Sequence, residues 1–98
     1  MAYNVKISPV AKADVRKAVA SYKKEASLKV VRNFAEDYEL NLKKIVQNPF
    51  FQIYYKHFRG LTFSKYPYII FYQTDETNEL ILVKAVFNAS QDIDKRPK

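Results

Sequence analysis

The stretch Phe50–Tyr72, FFQIYYKHFRGLTFSKYPYIIFY, holds ten of the fifteen aromatic residues of the chain, with its only glycine, Gly60, and its only histidine, His57. Rings and branched side chains suit a pleated, half-buried surface, so Tyr54–Phe63 and Tyr68–Thr74 each read as a strand. Ser64-Lys65-Tyr66-Pro67 between them reads as the turn of a hairpin. Pro67 can head the second strand but lacks the N–H that a position inside it needs. Lys56, Arg59 and Lys65 set cations among the rings.

Downstream of the hairpin, Asp75-Glu76-Thr77-Asn78 is a polar turn into Glu79–Phe87 (ELILVKAVF), the most hydrophobic strand of the chain. Strict alternation puts Ile81, Val83, Ala85 and Phe87 on one face and Leu80, Leu82, Lys84 and Val86 on the other. Both faces are largely apolar, as a central strand covered on two sides requires. Residues 88–98 follow as a polar tail.

Upstream lie two amphipathic helices. Tyr3, Val5 and Ile7 alternate with polar neighbours as a short first strand. Ser8-Pro9 then supplies a capping oxygen and a proline where its missing donor costs nothing. Ala11, Val15, Ala18, Val19 and Tyr22 share one face of the first helix, with Asp14 and the lysines mostly on the other. After Glu25-Ala26-Ser27, the second helix repeats Val31, Phe34, Ala35, Tyr38, Leu42, Ile45 and Val46 at three and four. Glu36, Asp37, Glu39, Lys43 and Lys44 mark its solvated side, and Asn48-Pro49 ends it. So short a break between the two implies an antiparallel helical hairpin. The expected fold is α+β, in the order β-α-α-β-β-β, with the helical hairpin packed on one face of a small, largely antiparallel sheet.

The 98 residues suffice for one domain, 1–98, and not for a second core. The absence of cysteine removes disulfides and thiolate metal sites, and a single histidine makes a transition-metal centre a poor expectation. No cofactor is expected. The start has no apolar signal core and no stretch reaches the ~18 apolar residues of a membrane span, so a cytoplasmic protein is expected. A net charge of +7 favours an anionic partner.

In order and spacing, several stretches resemble the RelE/ParE toxin superfamily. They are Ser8-Pro9-x-Ala11-x-x-Asp14 after a first strand, the helical hairpin ending in Asn48-Pro49, Arg59-Gly60-Leu61 with Tyr66-Pro67-Tyr68-x-x-x-Tyr72, and the closing ELILVKAVFNASQDIDKRP. The resemblance covers nearly the whole chain. It implies the toxin of a type II toxin–antitoxin pair, silenced by a cognate antitoxin that wraps its helices and sheet, either as a hetero-oligomer or with a toxin homodimer. RelE-like members cut messenger RNA on the ribosome, whereas ParE-like members block DNA gyrase.

Ribosome-dependent cleavage needs a base for the ribose 2′-hydroxyl, an acid for the leaving oxygen and cations for the phosphorus oxygens. Three departures from the family pattern deplete that set: Ile69 where many relatives have Arg, Asn88 in place of His, and Gln91 in place of Arg. The candidate catalytic residues that remain are Arg59, Lys56, Lys65 and Lys84, with Tyr66 or His57 for proton transfer. Arg59 leads them, because a planar guanidinium holds a phosphate or carboxylate with two parallel bonds. Tyr66, Tyr68, Asn88, Gln91 and Arg96 are candidate binding positions. Two expectations follow in order: a toxin acting by binding, then an active mRNA endonuclease. A plain nucleic-acid-binding domain, with tyrosines stacked on bases, is a third.

Overall fold

A computed structural model describes residues 3–89, with Tyr54 and Tyr55 described by backbone alone. The elements are β1 (Asn4–Ile7), α1 (Pro9–Glu25), α2 (Leu28–Gln47), β2 (Ile53–Tyr55), β3 (Phe58–Thr62), β4 (Tyr68–Asp75) and β5 (Leu80–Asn88). Serine hydroxyls start both helices. Ser8 Oγ accepts from Ala11 N at 3.1 Å and Ser27 Oγ from Val30 N at 3.3 Å, each satisfying one of the donors that a first turn leaves free.

The strands form one sheet in the order β1-β5-β4-β3-β2. All neighbours are antiparallel except β1 and β5, which run parallel. The helical hairpin covers one face, and the expected architecture is present. One strand differs: Tyr54–Phe63 is not continuous but breaks into β2 and β3 around Lys56-His57. Lys56 has φ 51°, the left-handed region a tight hairpin demands and usually gives to Gly or Asn. With neither residue at that position, composition does not mark the turn.

Ile81, Val83, Ile70, Tyr72, Leu61, Val5 and Ile7 meet Ala11, Ala18, Phe34 and Ile45 of the helices in the main core. The center of that core is aromatic. The Phe34 ring lies 5.2–5.6 Å from those of Tyr22, Phe63, Tyr66 and Tyr68. On the opposite face Phe71 and Ala85 are buried as a cross-strand pair, with the Phe87 ring 6.2 Å from Phe71.

The strict alternation expected of β5 does not hold. Phe71 pairs with Ala85 and Tyr72 with Val83, which leaves Lys84 as an extra residue in a β-bulge. Beyond it the faces exchange, so Val86 joins Val83 under the helices while Ala85 and Phe87 turn away. The first helix holds this irregularity. Ser8 N donates to Val83 O at 2.9 Å, Ser8 Oγ donates to Lys84 O at 3.0 Å, and Asp14 Oδ2 accepts from Val86 N at 3.0 Å. The spacing of Ser8 and Asp14 on one flank of α1 thus satisfies the backbone groups a bulge would otherwise strand.

Candidate functional site

The candidate residues fall into three places. At the β2–β3 end, Ile53, Lys56, His57, Arg59, Gln73, Thr74, Asp75, Glu76 and Leu82 line a shallow depression of about 580 Å³. Lys56 and His57 are exposed in the tight turn. Arg59 is half-buried, and its guanidinium has structural work. Nη1 donates to Phe51 O at 2.8 Å, and Cζ lies 5.3 Å from the centre of the Phe50 ring, in cation–π range. Asp75, across the depression, accepts from the backbone and side-chain N–H groups of Asn78 at 3.1 and 2.8 Å, and these bonds hold its carboxyl below the usual value.

At the other end of the hairpin sit Lys65, Tyr66, Tyr68 and Asn88. Lys65 is exposed. Its backbone N–H, with that of Ser64, is taken by Asp37 of α2: Oδ2 to Lys65 N at 2.7 Å and Oδ1 to Ser64 N at 3.1 Å. Asp37, expected on the solvated side of its helix, is buried, as is Asn41 one turn on, whose Nδ2 donates to Asp37 Oδ1 at 2.9 Å. Helical periodicity places Asp37 on the polar face, but the β3–β4 turn folds back over it and supplies donors. Tyr66 packs on Tyr22 and Phe34 and donates its hydroxyl to Val30 O at 3.4 Å. Tyr68 is buried in the aromatic core, and Asn88 Nδ2 donates to its hydroxyl at 3.4 Å. The rings of Tyr66 and Tyr68 are therefore engaged within the fold.

Lys84 is half-buried at the bulge, between these ends. From Tyr72, which pairs with Arg59, to Tyr68, which pairs with Asn88, β4 advances four residues, or about 13 Å. The structure brings Lys56, His57 and Arg59 together, and Lys65, Tyr66, Tyr68 and Asn88 together, as separate groups. Gln91 and Arg96 lie outside the described residues, as does most of the polar tail. Among the described residues there is no group of three or more His, Cys, Asp or Glu that could hold a metal ion, and no helix is long and apolar enough to cross a membrane.

Sequence reasoning missed Asp37, Asn41 and the fixing of the α2–β2 loop. Tyr72 Oη donates to Pro49 O at 3.0 Å and accepts from Phe51 N at 3.3 Å, while Thr74 Oγ1 donates to the same Pro49 carbonyl at 3.1 Å. The sequence signal available was the Asn48-Pro49 helix stop opposite a Tyr and a Thr spaced by two in a strand, which puts both on one face.

Burial pushes the hydroxyls of Tyr22, Tyr38, Tyr68 and Tyr72 above the ordinary 10.0. At Tyr72 the bond from Phe51 and the charge of Arg59 oppose the rise. The folded state thus keeps these protons where the unfolded chain gives them up. The stability they contribute is whole below the unfolded value of 10.0 and is lost as pH rises through the higher folded values. In an alkaline titration, ionisation of these four rings, read by tyrosinate absorbance, is expected to coincide with loss of the circular dichroism signal. Complete ionisation with native dichroism would contradict it.

A family model described as the ParE toxin of type II toxin–antitoxin system, parDE, matches residues 5–93. A comparison with curated protein sequences finds no match. Among solved structures, the chain is similar to one titled "Chromosomal ParDE TA system from P. aeruginosa". The TM-score is 0.74 at 16% identity, covering 88% of this chain and 95% of that one, which is a likeness of fold. With the family match running from β1 to beyond β5, the chain belongs to the ParE toxin family, within the RelE/ParE superfamily.

Proposed function

We propose that this protein is the toxin of a type II pair, silenced by a cognate antitoxin, and that it acts by binding a protein target, DNA gyrase, instead of cleaving RNA. The observation that carries the second part is the disposition of Arg59. Its guanidinium ties down the α2–β2 loop through Phe51 O, and the lysines that would share a phosphate with it are divided between the two ends of the hairpin and the bulge. Transition-state charge on phosphorus is stabilised by cations preplaced around one point, and this arrangement spreads them. Family membership and the ParDE title of the structural neighbour support the antitoxin. Leu28 and Leu40, 65% and 49% exposed on α2, offer apolar surface for it.

The test combines a supercoiling assay of gyrase with the purified protein and transcript 5′-end mapping in cells induced without antitoxin. Inhibited supercoiling and growth arrest without new transcript ends are expected. New ends inside translated codons that vanish in Arg59→Ala would overturn the binding mechanism in favour of ribosome-dependent cleavage.

A further inference from the structure

The corner where α2 passes the chain to β2 joins a tightly held backbone to exposed apolar side chains. Pro49 and Phe51, on either side of Phe50, are tied to the sheet by Tyr72, Thr74 and Arg59 at 2.8–3.3 Å. Phe50 N also donates to Asn48 Oδ1 at 3.4 Å. Yet Phe50 is 48% exposed, and Ile53 nearby is 55% exposed. Fixing the backbone around a ring that stays in water gains the fold little of the burial energy a phenylalanine can supply. The arrangement does prepare the ring for another surface. The Arg59 guanidinium lies 5.3 Å from its centre, and the bond to Phe51 O uses one N–H of a group that carries several. Lys56 and His57 flank Arg59 in the depression, and Asp75 and Glu76 line it with them.

We infer that this corner is a protein-docking surface, resting on the binding mechanism proposed above and naming where the target is held. Its partner presents an apolar recess that receives Phe50, a carboxylate facing Arg59 and Lys56, and a basic group facing Glu76. The charge pattern selects a protein over a nucleic acid. Phosphates drawn by Lys56 and Arg59 would be repelled by Asp75 and Glu76 of the same depression, whereas a protein surface can match both signs. An aromatic ring and an arginine are the residue types that dominate protein interfaces. A loop already tied in place removes part of the ordering cost of association.

The experiment compares the full chain with Phe50→Ala, Glu76→Lys and, as an exposed apolar control elsewhere, Val10→Ala. The readouts are growth arrest on induction without antitoxin and inhibition of supercoiling by purified protein, with melting temperatures taken for each variant. Phe50→Ala and Glu76→Lys are each expected to lose at least about tenfold in potency with unchanged folding, and Val10→Ala to lose none. A folded Phe50→Ala with wild-type potency overturns the inference. If Phe50→Ala fails to fold, Glu76→Lys at an exposed turn decides, and wild-type or greater potency overturns it. Tighter, salt-sensitive binding of a mixed-sequence single-stranded RNA by Glu76→Lys identifies the surface as a nucleic-acid site instead, and likewise overturns it. A wild type that arrests growth without touching supercoiling removes gyrase as the target but upholds the surface if Phe50→Ala relieves the arrest. A wild type that does neither removes both proposals.

Discussion

Phe34→Ala is expected to lower the melting temperature by roughly 12 °C or more, which for a domain of this size corresponds to about 3 kcal/mol. Phe34 is fully buried and sits among four rings contributed by α1, the β3–β4 turn and β4. Truncation removes its transfer energy and leaves a cavity that four rigid neighbours cannot readily fill, and Phe→Ala at such sites costs about 3–5 kcal/mol. Total stability of small domains is about 5–15 kcal/mol, so a large share of the margin disappears. Phe34→Leu keeps the site apolar and should lose roughly half as much. Calorimetry or thermal dichroism measures both, and a Phe34→Ala protein melting within about 4 °C of wild type would show that the cluster is not the keystone of the core.

Asp37→Ala is expected to be nearly as damaging, by about 3 kcal/mol, though it removes little apolar surface. The carboxylate accepts from two backbone N–H groups of the β3–β4 turn and from Asn41. Losing an acceptor costs about 1–3 kcal/mol where its donors are shielded from water. Here the two turn amides and one N–H of Asn41 lose theirs together, while Asn41 keeps its bond to Asp37 O. Asp37→Asn retains one acceptor oxygen and should recover part of the loss. Amide exchange gives a sharper readout than melting alone: the Ser64 and Lys65 amides should lose protection in Asp37→Ala before the central strands do. Unchanged protection at these two amides would mean that the turn holds itself.

The contrast between these residues shows how far the sequence could be read. Phe34 is legible because it recurs with Val31, Tyr38, Leu42 and Ile45 at helical spacing, and such periodicity reports burial directly. Asp37 is not, since its burial depends on a turn 27 residues away folding back over the helix. The helical hairpin, the aromatic strands and the hydrophobic last strand were legible from period and composition. The divided strand at Lys56-His57 and the bulge at Lys84 were not. A two-residue turn without Gly or Asn carries no compositional mark, and a β5 apolar on both faces hides the exchange of faces that the bulge makes. In the candidate site, residue types pointed to the aromatic hairpin and the last strand. Their grouping depended on register along β4, and it set Arg59 and Lys65 at opposite ends of one hairpin. Arg59 shows the limit best: a lone arginine beside a glycine reads as a ligand-binding cation, and only the approach of the Phe51 carbonyl reveals that it also secures a loop.

The parallel pairing of β1 with β5, Asn4 opposite Leu80 through Ile7 opposite Val83, bears on how the protein is made. β1 can find its hydrogen-bonding neighbour only after β5 has been synthesised, and α1 meets the bulge that Ser8 and Asp14 secure just as late. Contacts of such long sequence separation close last and slowly. A nascent chain interrupted before β5 therefore lacks the strand that joins β1 to the β3–β4 hairpin. The complete sheet, and any surface built on it, forms only once β5 has been made.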